Sequence, residues 1–327
     1  MLNWNEELVK VLNSSFLENC VVDSLMNSLH ISRAAAYRRL NGTTPFLFEE
    51  AVVLSQKFDF SIDQILRQTP QHQMWCAIPD HTGNPVWQYK DLLVRMRNTL
   101  RTVAKSKVQR MMMILNELPF RYTLSPALAK LDYAIFLYHH NAIVFHDTFA
   151  DIHVPADIVE LQKECFYYFN EIHNVDVIFD QNFIENIIQK IKYFHAIDFL
   201  SDNEMAMLIE ETRAVVQFYI DILELGYNRR GCKYNVYYSM INLHLTTIYL
   251  NYDDKDLLQL WFADGDPIII EDNISASVWA AFNQSIRLKY ASLLTHSNAL
   301  LRRELVRKMQ SSLDTISPVK NHVINFF

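Results

Sequence analysis

Between Ser32 and Thr44 the chain reads SRAAAYRRLNGTT, a set of side chains suited to reading nucleic acid. Arg33 can make a two-pronged contact with a guanine edge, and Ala34, Tyr37, Arg38 and Asn41 supply a small, aromatic and polar front beside it. Ser32 before this front, and Thr43 and Thr44 after it, can meet the flanking backbone. No acid lies between Ser24 and Phe48, so Arg33, Arg38 and Arg39 stand in an uninterrupted window. Other chemistry finds little support. There is no G-x-S-x-G, no phosphate-binding glycine loop and no cysteine beside an evident base, so we expect no enzyme.

Two short helices must hold this front in place. Asp23 to Leu29 reads as the first and Leu29-His30-Ile31 as a tight turn. Ser32 is the N-cap of a second helix from Arg33 to about Asn41, which Gly42 ends in the left-handed conformation. Four-residue spacing puts Ala36 and Leu40 on the back of that helix, and Arg33, Ala34, Tyr37, Arg38 and Asn41 on its front. Upstream, Trp4 to Phe16 is amphipathic through Leu8, Val9, Val11 and Leu12. Downstream, PFLFEEAVVLSQKF puts Phe46, Val53, Leu54 and Phe58 on one face, and Ser61 caps a last short helix within Phe60 to Leu66.

With these flanks the segment resembles the Cro/repressor (XRE) type of helix-turn-helix domain, through I-S-R-x-x-x-Y-R-x-L-N-G and the later F-x-F-S-x-D-x-I-L. The resemblance implies a five-helix DNA-binding domain whose Arg33–Asn41 helix enters the major groove of double-stranded DNA. Three positions depart from the pattern. Met26 stands where relatives carry a small residue, and His30 stands where a glycine usually supplies positive φ. Val22 occupies a position often given to a polar DNA contact. The alternative is an adaptor that uses the same domain for protein contacts: up to Pro70, six basic residues meet eight acidic ones, which handicaps phosphate binding.

At 327 residues the chain has room for two domains, and only five glycines argue for helices over nucleotide-loop folds. Beyond Pro70 the balance is 24 basic against 29 acidic, a mildly acidic body. Cys20, Cys76, Cys165 and Cys232 form no C-x-x-C pair, so no zinc or redox motif is expected. The start, MLNWNEELVK, is acidic and has no apolar run, and no apolar stretch reaches membrane-spanning length. A cytoplasmic chain without secretory leader or membrane span is the expectation.

The proline-rich stretch 69–86 reads as a linker between a domain at 1–68 and a body at 87–327. From Trp87 to Glu117 the pattern reads as one long helix, with Leu93, Met96, Leu100 and Val103 inward and Met111-Met112-Met113 as core filler at its end. Its Arg95, Arg97, Arg101 and Lys105 are candidate phosphate contacts, although charge runs are more often plain solvent faces. Further helices read as Ser125 to about Phe145, Pro155 to His173, Asp180 to Ala196, Asn203 to Leu225, Ser275 to Leu294 and Asn298 to Ile316. After Gly226 the β-branched and aromatic segments 232–241, 243–252 and 257–262 read as a small antiparallel meander, at 232–270, set into a helical domain. His139, His140, His146, Asp147 and His153 resemble the ligand types of HD phosphohydrolases, but the spacing does not follow and no metal is expected.

The expected fold is therefore mainly α, a five-helix reader followed by a larger helical domain. Leu118-Pro119-Phe120, the Tyr234-to-Tyr238 strand and the last basic helix are similar to the C-terminal region of bacterial regulators with this front domain. That implies a bacterial transcriptional regulator needing no cofactor and open to an unidentified small-molecule or protein effector. A single reader covers one half-site, so a homodimer is expected, with Leu301, Leu305 and Met309 of Asn298–Ile316 as interface candidates.

Overall fold

The computed structural model describes residues 4–15, 21–58, 60, 62, 83–117, 125–143, 147–261, 267–271 and 273–314. The chain divides into two compact units, Met1–Met74 and Trp75–Phe327. In the first, α1 (Trp4–Ser15), α2 (Val21–Leu29), α3 (Arg33–Leu40) and α4 (Phe48–Phe58) enclose a small core of Leu8, Leu12, Val21, Leu25, Ala36, Phe46, Ala51 and Leu54. Buried Asn5 accepts a 2.9 Å hydrogen bond from the Phe46 backbone N–H, tying α1 to the approach to α4. Most of the expected last short helix, and most of the 69–86 linker, lie outside the described residues.

The second unit overturns the mainly-α expectation. It is an α/β fold on a seven-stranded mixed sheet, built from β1 (Gln109–Leu115), β2 (Val175–Phe179), β3 (Tyr234–Ser239), β4 (Thr246–Tyr252), β5 (Lys255–Trp261), β6 (Ile268–Ile270) and β7 (Ala291–Leu293) in the order β6-β5-β4-β1-β2-β3-β7. β1, β2 and β3 pair in parallel, and the other neighbours are antiparallel. The expected meander at 232–270 is thus not an insertion. Its first strand, β3, extends the parallel set, while β4 crosses to the far side of β1.

The long helix expected over 87–117 is instead α5 (Pro85–Lys105), capped by the Asn84 side chain and stopped at Ser106, followed by β1. Met111, Met112 and Met113 lie in the middle of the sheet and are buried on both faces. A strand covered on both faces has no period of two, so its apolar run is indistinguishable by pattern from more helix.

The helices α6 (Pro126–His139), α7 (Ala156–Phe169), α8 (Phe183–Ala196) and α9 (Asp202–Leu225) form the crossovers that parallel strands require. With α5 they bury one face of the sheet, through Met111, Met113 and Leu115 of β1, Val175, Val177 and Phe179 of β2, and Tyr234 and Val236 of β3. A polar thread runs through this layer: Tyr89 Oη donates to Asp132 at 2.7 Å, and Gln162 Nε2 donates to Tyr89 Oη and to the Ala129 carbonyl at 3.0 Å each. Gly226 ends α9 at φ +77°, and a Cβ there would run into the His296 ring, so the chain turns toward β3 only with glycine at this position.

The other face of the sheet meets α10 (Asn273–Tyr290). Met112, Tyr249, Leu258, Leu260 and Ile270 pack with Ala276, Trp279 and Ala280. Farther along, Asp176, only 4% exposed, accepts from Arg110 of β1 at 2.7 Å, from Arg287 of α10 at 3.1 Å and, through its other oxygen, from Asn235 of β3 at 2.8 Å. One buried carboxylate therefore joins two strands and a helix to β2. The last helix, α11 (Ala299–Asp314), packs on α8 and α9. Its Leu305 and Met309 belong to the chain's own core and Leu301 lies partly buried against it, so this row is not an open surface for a second copy. No described helix is long and apolar enough to cross a membrane.

Candidate nucleic-acid interface

α3 begins as its sequence dictates. Ser32 sits in extended conformation at φ −69° and ψ 155°, and its hydroxyl accepts from the Ala35 N–H at 3.3 Å, satisfying one donor that the first turn leaves free. The helix ends at Asn41 with Gly42 at φ +72°, and the Thr44 N–H reaches back to the Arg38 carbonyl at 3.0 Å. His30 occupies the turn between α2 and α3 at φ +53°, the left-handed geometry for which a glycine is the usual residue.

Burial sorts the predicted contacts. Ala36 is fully buried, and Met26 of α2 packs half-exposed on the same core. Ser32, Arg33, Ala34, Tyr37, Arg38, Asn41 and Thr43 are exposed, and Thr44 is half-buried. The structure thus brings Arg33, Ala34, Tyr37, Arg38 and Asn41 together on one outward face. Val22 is half-buried against the core rather than presented beside α3. Val53, expected on the inward face of α4, is 42% exposed.

Arg39, counted with Arg33 and Arg38 in the acid-free window of the sequence, is committed inside its own unit. Its guanidinium forms a two-pronged pair with Glu50, at 2.9 and 2.6 Å, with both side chains about 15% exposed (14% and 15%). Glu50 also accepts from the Leu47 N–H at 3.0 Å, so one carboxylate caps α4 and ties it to α3. The hydrogen bond from Arg39 holds the Glu50 carboxyl below the usual range, against a smaller opposing effect of burial. The spacing of 11 residues between them carries no local signal that could have revealed the pair. Arg33 and Arg38, in contrast, have no side-chain partner among the described residues.

The four candidate phosphate contacts on α5 divide in the same way. Arg97 bonds Glu164 of α7 at 2.7 Å and Arg95 bonds Asp91 at 3.0 Å. Arg101 and Lys105 are exposed and carry no ion pair among the described residues. The histidine-rich stretch forms no metal centre there either. α6 ends at His139, the His140 ring stacks on Phe136 at 4.1 Å, and His146 lies outside the described residues. Among the described residues no three metal-ligating side chains come together. One groove of about 250 Å³ lies between α9 and α11, lined by Asp202, Met205, Ile209, Arg213 and Leu313. Arg213 is held there by Asp314 at 2.9 Å. Comparisons with protein families, with curated proteins and with solved structures find no match to this chain.

Proposed function

We propose that the chain is a DNA-binding transcriptional regulator that reads the major groove with α3, the larger α/β body serving regulation. One observation carries this reading. α3 turns a single small residue, Ala36, fully inward and leaves Arg33, Ala34, Tyr37, Arg38 and Asn41 on one exposed face without side-chain partners among the described residues. A front of that shape can approach base edges closely, and its two free guanidinium groups can each engage a guanine or a phosphate. With Arg39 committed to Glu50, phosphate attraction is modest. Specificity then falls to base contacts, and affinity to the pairing of two readers on successive grooves about 34 Å apart.

The test is selection of bound fragments from random DNA by the full chain, followed by a salt titration on the enriched site. Enrichment of a two-part site supports the reading, with log affinity falling by about 0.9 per neutralised phosphate for each tenfold rise in salt. No enriched sequence would favour the adaptor alternative, in which the same unit contacts protein. Neutralising Arg101 and Lys105 on α5 lowers the salt slope by about 0.9 for each residue that touches a phosphate. An unchanged slope removes α5 from the interface.

A further inference from the structure

α4 carries an outward face that no described residue of its own unit covers. Leu47 and Phe48 are 59% and 64% exposed and Val53 is 42% exposed, while Glu49, Gln56 and Lys57 are exposed around them. Exposed or half-exposed residues fall in pairs one turn apart, 48–49, 52–53 and 56–57, on the side opposite buried Ala51 and Leu54. The acid stands at the start of this face and the base at its end. Neither Glu49 nor Lys57 has an ion-pair partner among the described residues, whereas neighbouring Glu50 is taken by Arg39.

Such a face is complementary to its own reverse. A second α4 laid antiparallel, with the two-fold axis between Val52 and Val53, sets the two valine pairs against each other. It also brings Lys57 over the partner's Phe48 and within reach of the partner's Glu49, and the symmetry repeats each contact. The acid argues against the other obvious occupant, since Glu49 would face phosphates with the wrong charge. We infer that the Leu47–Lys57 face of α4 is a self-association surface, on which a second copy of this chain binds antiparallel. The face is short, below the ~1,200 Å² of stable standard interfaces, so the contact is a weak one that another tether reinforces. It needs no DNA and stands apart from the reading of α3.

Sedimentation of the full chain over a concentration series, without DNA, tests this. Glu49→Lys and Lys57→Glu should each weaken association by about tenfold, because one reversal turns two symmetric attractions into repulsions. The double variant, which swaps the charges, should recover the parent's constant. Each side chain is exposed, so the melting temperature should stay with the parent's. As a second readout, Val53→Cys should be joined into a covalent dimer by a short thiol cross-linker under conditions that leave the parent single. The inference is overturned by a parent that shows no self-association. It is equally overturned by single reversals that leave the constant unchanged, by a double variant no better than the singles, or by a Val53→Cys chain that is not cross-linked.

Discussion

Arg33 and Arg38 of α3 and a set of paired arginines in the body are used in opposite ways. On α3, Arg33 and Arg38 project from a helix whose apolar anchors are Ala36 and Leu40, and no carboxylate approaches them among the described residues. In the body, Arg110 and Arg287 close on buried Asp176, Arg97 on Glu164, Arg213 on Asp314 and Arg230 on Glu171. Arg39 is paired as that set is, although it sits on α3. The residue type is the same throughout. What separates a group available to a ligand from one that holds the fold is the partner that tertiary structure brings to it.

The sharpest way to break the comparison is to remove the body's central acid. Asp176→Ala leaves Arg287, 15% exposed, and Arg110, 44% exposed, without their shared carboxylate. Loss of one member of a buried pair costs about 3 kcal/mol, with the more exposed Arg110 contributing the smaller part. Calorimetry should show the body's transition falling, and the front unit's holding its position. An unchanged body transition would mean that the cluster is ornamental.

α3, as the proposed reader, should respond in the reverse sense. Tyr37→Ala with Arg38→Ala should abolish specific DNA binding and leave the melting temperature nearly unchanged, since both side chains face solvent. Arg33→Ala alone should relax preference at one base position at a cost of about 1–3 kcal/mol in binding. Melting that drops while DNA binding persists would show these side chains to be structural, and would erase the contrast.

These two units also differ in how much of them the sequence reveals. Ser32, His30 and Gly42 act within a few residues of themselves, as a cap, a left-handed turn and a helix end, so the boundaries of α3 are readable from the chain. The alternation of Ala36 with Tyr37 and Arg38 does the rest. The sheet is different, because its strands are defined by partners far away: Met112 pairs with Asp176 on one side and Tyr249 on the other. Covered on both faces, β1 and β2 show five buried residues in succession rather than alternation, and β1 merges into the preceding helical pattern. β3 and β4 were recognisable as strands, but nothing local says that β1 lies beside β4 or that β2 lies beside β3. The partner of Arg39 is hidden for the same reason, since Glu50 belongs to the next helix.

The Arg39–Glu50 pair lies between the two classes and should give an intermediate effect. Arg39→Ala removes a charged two-pronged bond at a half-buried site and should cost about 2 kcal/mol of front-unit stability, with DNA affinity falling only through loss of folded protein. Its pH dependence has a definite sign. The folded-state pKa of Glu50 is depressed, so the pair's contribution is complete above the ordinary carboxylate pKa of about 4.3. It is lost as pH falls through the depressed value. Glu50→Gln should remove that acid-side loss from the front unit's melting profile. An identical profile in both proteins would assign it to other carboxylates.

The smallest effect tests whether the turn before α3 is held by its residue or by its surroundings. His30 adopts φ +53°, where an L side chain costs roughly 1–2 kcal/mol and glycine costs nothing sterically. Glycine also loses more backbone freedom on folding, which offsets part of that gain. His30→Gly should therefore stabilise the front unit by roughly 0.5 kcal/mol, the difference between the two. His30 is exposed and contributes nothing to the core, so DNA affinity should stay at the parent's value. A fall in affinity with a rise in stability would make the imidazole itself a contact, and would move His30 from the residues that position α3 to those that read with it.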